Sequence, residues 1–173
     1  MAYTSKWYDF SNKTVKDIVV ADENAVPGAY AYSLNAISNG IISNCTCSTG
    51  GQMRVYTAGG NSLIKDSIID ANKNEALIIR HAGNSGSNLT FKTGSSYIQS
   101  KAVLSGATVS GGELWVQAGA TAHDVAVSGG ALILTAANGD TLVKRVTQTG
   151  GRVYVSEGIL SGGTVNGGEM DAY

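Results

Sequence analysis

Proline is nearly missing from this chain, with Pro27 alone among 173 residues. That excludes a proline-rich disordered linker. Charge is also sparse: Asp, Glu, Lys and Arg make up 14 % of the residues, against about a quarter in ordinary domains. The net charge is −1. Nucleic-acid grooves and surfaces for anionic membranes need clustered positive charge, so neither partner is expected. No apolar run nears the roughly 18 residues of a membrane span, so the chain is not expected to insert into a bilayer. The first ten residues, Met1 to Phe10, show no uninterrupted apolar core and no cleavage signal. Either export is not directed by this segment, or a signal has been replaced by the start residue.

Cysteine is limited to Cys45 and Cys47. On an extended strand their Cα atoms lie about 6.6 Å apart, at the upper limit for a disulfide, and both face one side. They read as two small buried side chains. A metal centre needs further ligands, and His81 and His123 lie far along the chain, so no metal and no cofactor is expected.

What the chain has is glycine, 23 residues of it, and a repeat. Five segments read Gly-Gly-x-apolar-x-apolar: Gly50 to Val55, Gly111 to Val116, Gly129 to Leu134, Gly150 to Val155 and Gly167 to Ala172. Composition alone gives roughly 0.6 such matches. Two weaker copies, Asn74 to Ile79 and Gly94 to Gln99, fill the gap between the first and second. The copies then recur about every 20 residues.

Alternation after each glycine pair predicts a strand. One short strand cannot bury its own apolar face, so successive coils must stack and pair in parallel, about 4.8 Å apart. The inward pairs become Met53/Val55, Leu77/Ile79, Tyr97/Gln99, Leu114/Val116, Leu132/Leu134, Val153/Val155 and Met170/Ala172. Only Gln99 is out of character. A polar ladder precedes the corners: Thr49, Lys73, Thr93, Ser110, Ser128, Thr149 and Asn166. Further apolar runs, such as Leu89/Phe91 and Val125/Val127, supply a second or third strand per coil. Turns such as Asn138-Gly139-Asp140 join them. The expected fold is all-β: a single-domain parallel β-helix over residues 34–173 with coils of about 20 residues. Residues 1–33 lack the motif, are rich in aromatics and are expected to cap the first coil.

The phrases Ala107 to Val116 and Val125 to Gly130, with Ser161 to Gly168, resemble the AIDA-type repeats of autotransporter adhesin passengers. The likeness is good over 107–172, weaker over 42–106 and absent over 1–41. It implies a right-handed β-helix displayed on a bacterial surface or secreted, acting in adhesion, self-association and biofilm formation. Some such passengers carry heptose on serine, a modification compatible with Ser110 or Ser128. The chain shows no signal peptide and no C-terminal membrane barrel of the family kind.

A catalytic pair of carboxylates must face each other across about 5 to 9.5 Å. No two acids share a column on neighbouring coils: Glu113 stacks on Ala131, and Ala131 on Arg152. Asp124 and Arg145 do stack, which predicts a surface ion pair. His81 and His123 read as turn residues. The stretch Asp70 to Asn74 starts like a calcium loop, but Glu75 stands where glycine is needed. No catalytic residue is therefore expected. The informative position is the outward one between each inward pair: Arg54, Ile78, Ile98, Trp115, Ile133, Tyr154 and Asp171. Its apolar members, Ile78, Ile98, Trp115, Ile133 and Tyr154, predict a contact face. Its partner is the chain itself or a ligand on a host or bacterial surface, glycans included. A carbohydrate-active β-helix of the tailspike kind and an inert stalk are the rival readings.

Overall fold

The computed structural model describes residues 6–21, 32–55, 58–71, 75–136 and 141–173. These residues form strands and turns with no helix. The first coil holds β1 (Lys6–Asp9), β2 (Thr14–Lys16) and β3 (Val19–Val20). The second holds β4 (Tyr32–Asn35), β5 (Ile41–Ser43) and β6 (Thr46–Cys47), and the third β7 (Gly51–Val55), β8 (Leu63–Lys65) and β9 (Ile68–Asp70). From the fourth coil two strands suffice: β10 (Leu77–Arg80) with β11 (Ser85–Thr93), β12 (Ser95–Gln99) with β13 (Val103–Val109), and β14 (Glu113–Gln117) with β15 (Thr121–Val127). Then come β16 (Ala131–Thr135) with β17 (Leu142–Gln148), β18 (Arg152–Val155) with β19 (Ile159–Val165), and finally β20 (Glu169–Ala172).

One strand per coil joins a nine-stranded parallel sheet, β1-β4-β7-β10-β12-β14-β16-β18-β20, here called face A. The other strands form an eleven-stranded parallel sheet, face B. The molecule is a parallel β-solenoid. Residues 6–20, inside the segment expected as a cap, supply β1 to β3, which pair in register with β4 to β6 as the first coil. Residues 1–5 and 22–31 of that segment lie outside the described residues, as does the expected turn Asn138-Gly139-Asp140.

The core is a set of inward columns. On face A, Leu34, Met53, Leu77, Ser96, Leu114, Leu132 and Val153 stack in register. All are buried. Beside them run Val55, Ile79, Ile98, Val116 and Leu134, all fully buried. Face B answers with Ile42, Ile64, Gly86, Leu104, Ala122 and Val143. Each buried leucine contributes about 2 kcal/mol, and each coil leans only on its neighbours. Neighbouring coils trade volumes: the fourth holds Phe91, the largest of the fully buried side chains, with Gly86, and the fifth holds the small Ser96 in its inward column. A Cβ on Gly86 would stand 2.7 Å from Ile79 Cδ1, so a larger residue there makes the surrounding side chains shift.

The glycine pairs have a steric cause. A Cβ on Gly129 would lie 2.4 Å from the Ser110 carbonyl oxygen, and one on Gly130 would lie 2.3 Å from that of Gly112. Gly130 also sits at φ 63, where a side chain is strained. Coils approach so closely at this corner that both positions must lack a side chain.

Face B bends at one residue per coil, and that residue is always left-handed. The bend column runs Asp17, Asn44, Asp66, Asn88, Gly106, Asp124, Arg145 and Gly162, with φ between 50 and 70. Asn, Asp and Gly enter this region most readily. The column also bonds along the axis: Asn44 Nδ2 donates to Asp17 Oδ1 at 2.7 Å, and Asn88 Nδ2 to Asp66 Oδ1 at 3.0 Å. Arg145 is the exception in residue type. Its guanidinium grips Asp124 through Nε to Oδ1 at 2.6 Å and through Nη2 to Oδ2 at 2.5 Å. The expected ion pair is thus one rung of a longer ladder.

Candidate functional site: the outer side of face A

The outward column of face A runs Asn35, Arg54, Ile78, Tyr97, Trp115, Ile133, Tyr154 and Asp171. Trp115, Ile133 and Tyr154 stand where the repeat puts them, each partly exposed. Ile98 does not. It pairs with Ile79 and Val116 and is fully buried, so it belongs to the core, and Tyr97 takes its outward place. The corner of this coil is Thr93-Gly94. Ser95 pairs with Glu113, so Gly94, at φ 73, aligns with Gly112. A slip of one residue reverses every side chain on a strand. The inward residues are therefore Ser96 and Ile98 rather than Tyr97 and Gln99, and the outward Gln99 donates to Gln117 Oε1 at 2.9 Å. The same slip moves Lys92, not Thr93, under Ser110 in the corner ladder.

Ile78 is outward by register yet only 8 % exposed. The outer side of face A is in fact covered along its first coils. Ser33, Asn35 and Gln52 point outward and are 1–2 % exposed. They hold a buried polar network. Asn35 Nδ2 donates to the Tyr8 carbonyl at 3.3 Å, and Gln52 Nε2 to the Glu75 carbonyl at 2.5 Å. Arg54 pairs with Glu75 at 3.6 Å.

From Tyr97 onward the face opens and its aromatics organise. Tyr97 and Trp115 stack, with ring centroids 6.1 Å apart and planes 20° from parallel. One oxygen of Glu113, Oε2, accepts from Trp115 Nε1 at 3.0 Å and from Ser95 Oγ at 2.9 Å. These bonds fix the orientation of the indole. Burial pushes the Tyr97 phenol above its ordinary value; the Ser95 hydrogen bond opposes this, and the Glu113 and Glu75 charges add to it. Further along, Arg152 covers the Tyr154 ring at 5.7 Å and binds Asp171, Nε to Oδ2 at 2.9 Å. The Asp171 hydrogen bond, then its charge, raises the Arg152 pKa, so this cation stays charged. Tyr173 closes the row against Tyr154 at 5.6 Å.

The other singled-out residues are dispersed. Ser110 and Ser128 are exposed at the glycine corner; Ser110 Oγ donates to the Phe91 carbonyl at 3.2 Å. His81 sits in a turn, at φ 73. His123 does not: it lies in β15, its Nδ1 at 3.0 Å from Asp124 Oδ2. Hydrogen bonds from Arg145 and then His123 hold the Asp124 carboxyl far below the ordinary carboxylate range. Cys45 and Cys47 are buried free thiols, and burial raises the Cys45 pKa. Among the described residues no group of three His, Cys, Asp or Glu is placed to hold a metal, and no helix is long and apolar enough to cross a membrane. Comparison with known families, curated proteins and solved structures finds no match to this chain.

Proposed function

We propose that the chain is a noncatalytic, surface-displayed β-solenoid that self-associates through the open part of face A. The observation that carries this is the row Tyr97, Trp115, Ile133 and Tyr154, four apolar or aromatic residues on neighbouring coils, pointing away from a core that is already full. A contact-free solenoid would place Thr, Ser or Lys there. Rings already held by Glu113 and Arg152 lose little freedom on contact, which favours binding. The resemblance to AIDA-type passengers supports adhesion in the same direction and display on a bacterial surface, with the exposed Ser110 and Ser128 as candidate sites for glycosylation.

The engaged carboxylates support a noncatalytic role. A glycosidase acid needs a raised pKa, whereas Asp124 is lowered by Arg145, and Glu113 and Asp171 serve Trp115 and Arg152. The test is sedimentation of the wild-type chain and of a Trp115→Lys, Ile133→Lys, Tyr154→Lys variant across concentration. Wild type should associate. The variant should stay folded by circular dichroism and remain monomeric, since truncating aromatic anchors costs about 2 kcal/mol each and added like charges repel. Equal association of the two would move the contact elsewhere on the molecule.

A further inference from the structure

We infer that the chain carries sugar linked to asparagine on face B, at Asn44 and Asn88, with a third site at Asn12. Each of these residues opens an acceptor tripeptide of the form Asn-x-Thr: Asn12-Lys13-Thr14, Asn44-Cys45-Thr46 and Asn88-Leu89-Thr90. The solenoid presents the last two in the same way. The asparagine stands at the left-handed bend, at φ 51 in one coil and φ 50 in the other, and is exposed. The middle residue, Cys45 or Leu89, turns inward and is 1 % exposed, which anchors the tripeptide to the core. The threonine points outward again and is partly exposed, Thr46 and Thr90 lying in register on either side of Ile68. Both side chains that a glycosyltransferase reads thus lie on the solvent side, and the residue it ignores is buried. Asn12 is likewise exposed and left-handed, at φ 57, with Lys13 and Thr14 exposed beside it.

The bend by itself does not require asparagine. Asp17, Asp66 and Asp124 fill the same column with the same backbone, and two residues on they are followed by Val19, Ile68 and Ala126. Both asparagine rungs are followed by threonine. Threonine also follows Gly106, Arg145 and Gly162, which offer no amide, so only Asn44 and Asn88 unite amide and hydroxyl in this column. They sit two coils apart, about 10 Å, which leaves each sugar its own stretch of surface. The donor is a sugar activated as a glycosyl diphosphate, on a nucleotide or on a lipid carrier. The amide nitrogen attacks the anomeric carbon and the C–N bond forms. The bond from that carbon to the phosphate oxygen breaks, and the diphosphate leaves with the electron pair. One proton passes from Nδ2 to a base of the transferase. The second N–H remains, so each amide can still donate to its carboxylate, Asn44 to Asp17 and Asn88 to Asp66. Sugar on face B leaves the outer side of face A clear.

The test is to recover the chain from the cell that makes it, digest it, and locate every added sugar by electron-transfer fragmentation of the peptides. Asn44 and Asn88 should carry sugar in most copies, and Asn12 should carry it too. Asn39 and Asn61 are exposed and left-handed but have no hydroxyl residue two places on, and both should be bare. Thr46→Val and Thr90→Val, produced in the same cell, should each clear the sugar from their own asparagine and from no other. Wild type and both variants should share one circular-dichroism spectrum, since each sugar points into solvent. The sugar itself identifies the donor. A single hexose, or a graded series built on one, marks a nucleotide sugar, whereas one fixed oligosaccharide marks transfer from a lipid carrier. Native chain that is bare at Asn44 and Asn88 overturns the inference. So does sugar found on the Thr46 and Thr90 oxygens, or sugar that stays on both asparagines in the threonine variants.

Discussion

The two halves of face A share a fold, a register and a packed core, yet their outer sides carry opposite chemistry. Along the first coils, Ser33, Asn35 and Gln52 point outward and are covered. Along the later coils, Tyr97, Trp115, Ile133 and Tyr154 point outward and are open. Polar under cover and apolar in the open is the reverse of what solvation alone selects. Under cover, polar groups are tolerated because each finds a partner, as Gln52 does at Glu75. In the open, apolar groups persist where something else covers them, which is the argument for a contact. Ile78 stands at the border, in the same column as Ile133 but on the covered side.

The largest expected effect tests what the halves share. Leu77 and Leu132 occupy one inward column, both fully buried. An aspartate at either site buries an unpaired charge, at a cost of at least several kcal/mol. Because each coil touches only its neighbours, the damage should stay local at first. Amide exchange should accelerate over about one coil on each side of the substitution, in Leu77→Asp and Leu132→Asp alike. Unchanged exchange around 107–155 in Leu132→Asp would remove Leu132 from the core.

A smaller effect should divide the halves. Ile78→Lys forces a charge under the covered side and should cost about 2–3 kcal/mol in chemical unfolding. Ile133→Lys leaves its charge in water and should stay within about 1 kcal/mol of wild type. It should instead weaken association. Equal stability losses at the two sites would mean that face A has no open half.

Much of the fold was legible in the sequence, and the illegible parts have physical causes. Glycine pairs and alternation located the strands because, at corners such as Gly129-Gly130, a Cβ would meet carbonyl oxygens at 2.3–2.4 Å, which selects glycine there. The Tyr97 coil defeated the reading because its corner has a single glycine, and Ser95-Ser96-Tyr97-Ile98 alternates equally well in either phase. Gln99, polar at a supposed core position, was the available signal. The burial of Ile78 left no local trace, since an outward apolar residue reads the same in its strand whether it is covered or open. The left-handed bend column could have been read further. Asp17, Asn44, Asp66 and Asn88 recur once per coil in line with Asp124, and these residue types enter that backbone region at least cost.

That bend column supplies the smallest contrast. In the first coils its rungs join carboxylate to amide, Asp17 with Asn44 and Asp66 with Asn88. In the later coils the rung is an ion pair, Asp124 with Arg145. The Asp124 pKa is lowered in the folded chain, chiefly by the Arg145 hydrogen bond. A lowered carboxylate contributes stability that is complete above its unfolded value, about 4, and is lost as pH falls through its folded one. Both side chains are exposed, so water and salt screen the pair and its contribution is small. Asp124→Asn should therefore lower the melting temperature slightly at pH 7 and low salt. The gap to wild type should narrow as pH drops from about 5 towards 2, because the wild-type carboxylate then takes up its proton. It should narrow again at about 1 M salt, where the Debye length falls to about 3 Å. Asn44→Ala removes a neutral amide from its rung with Asp17, so its effect should respond less to salt. Melting curves for the two variants across salt and pH check this, and a gap for Asp124→Asn that widens on acidification would reverse the assigned direction of the shift.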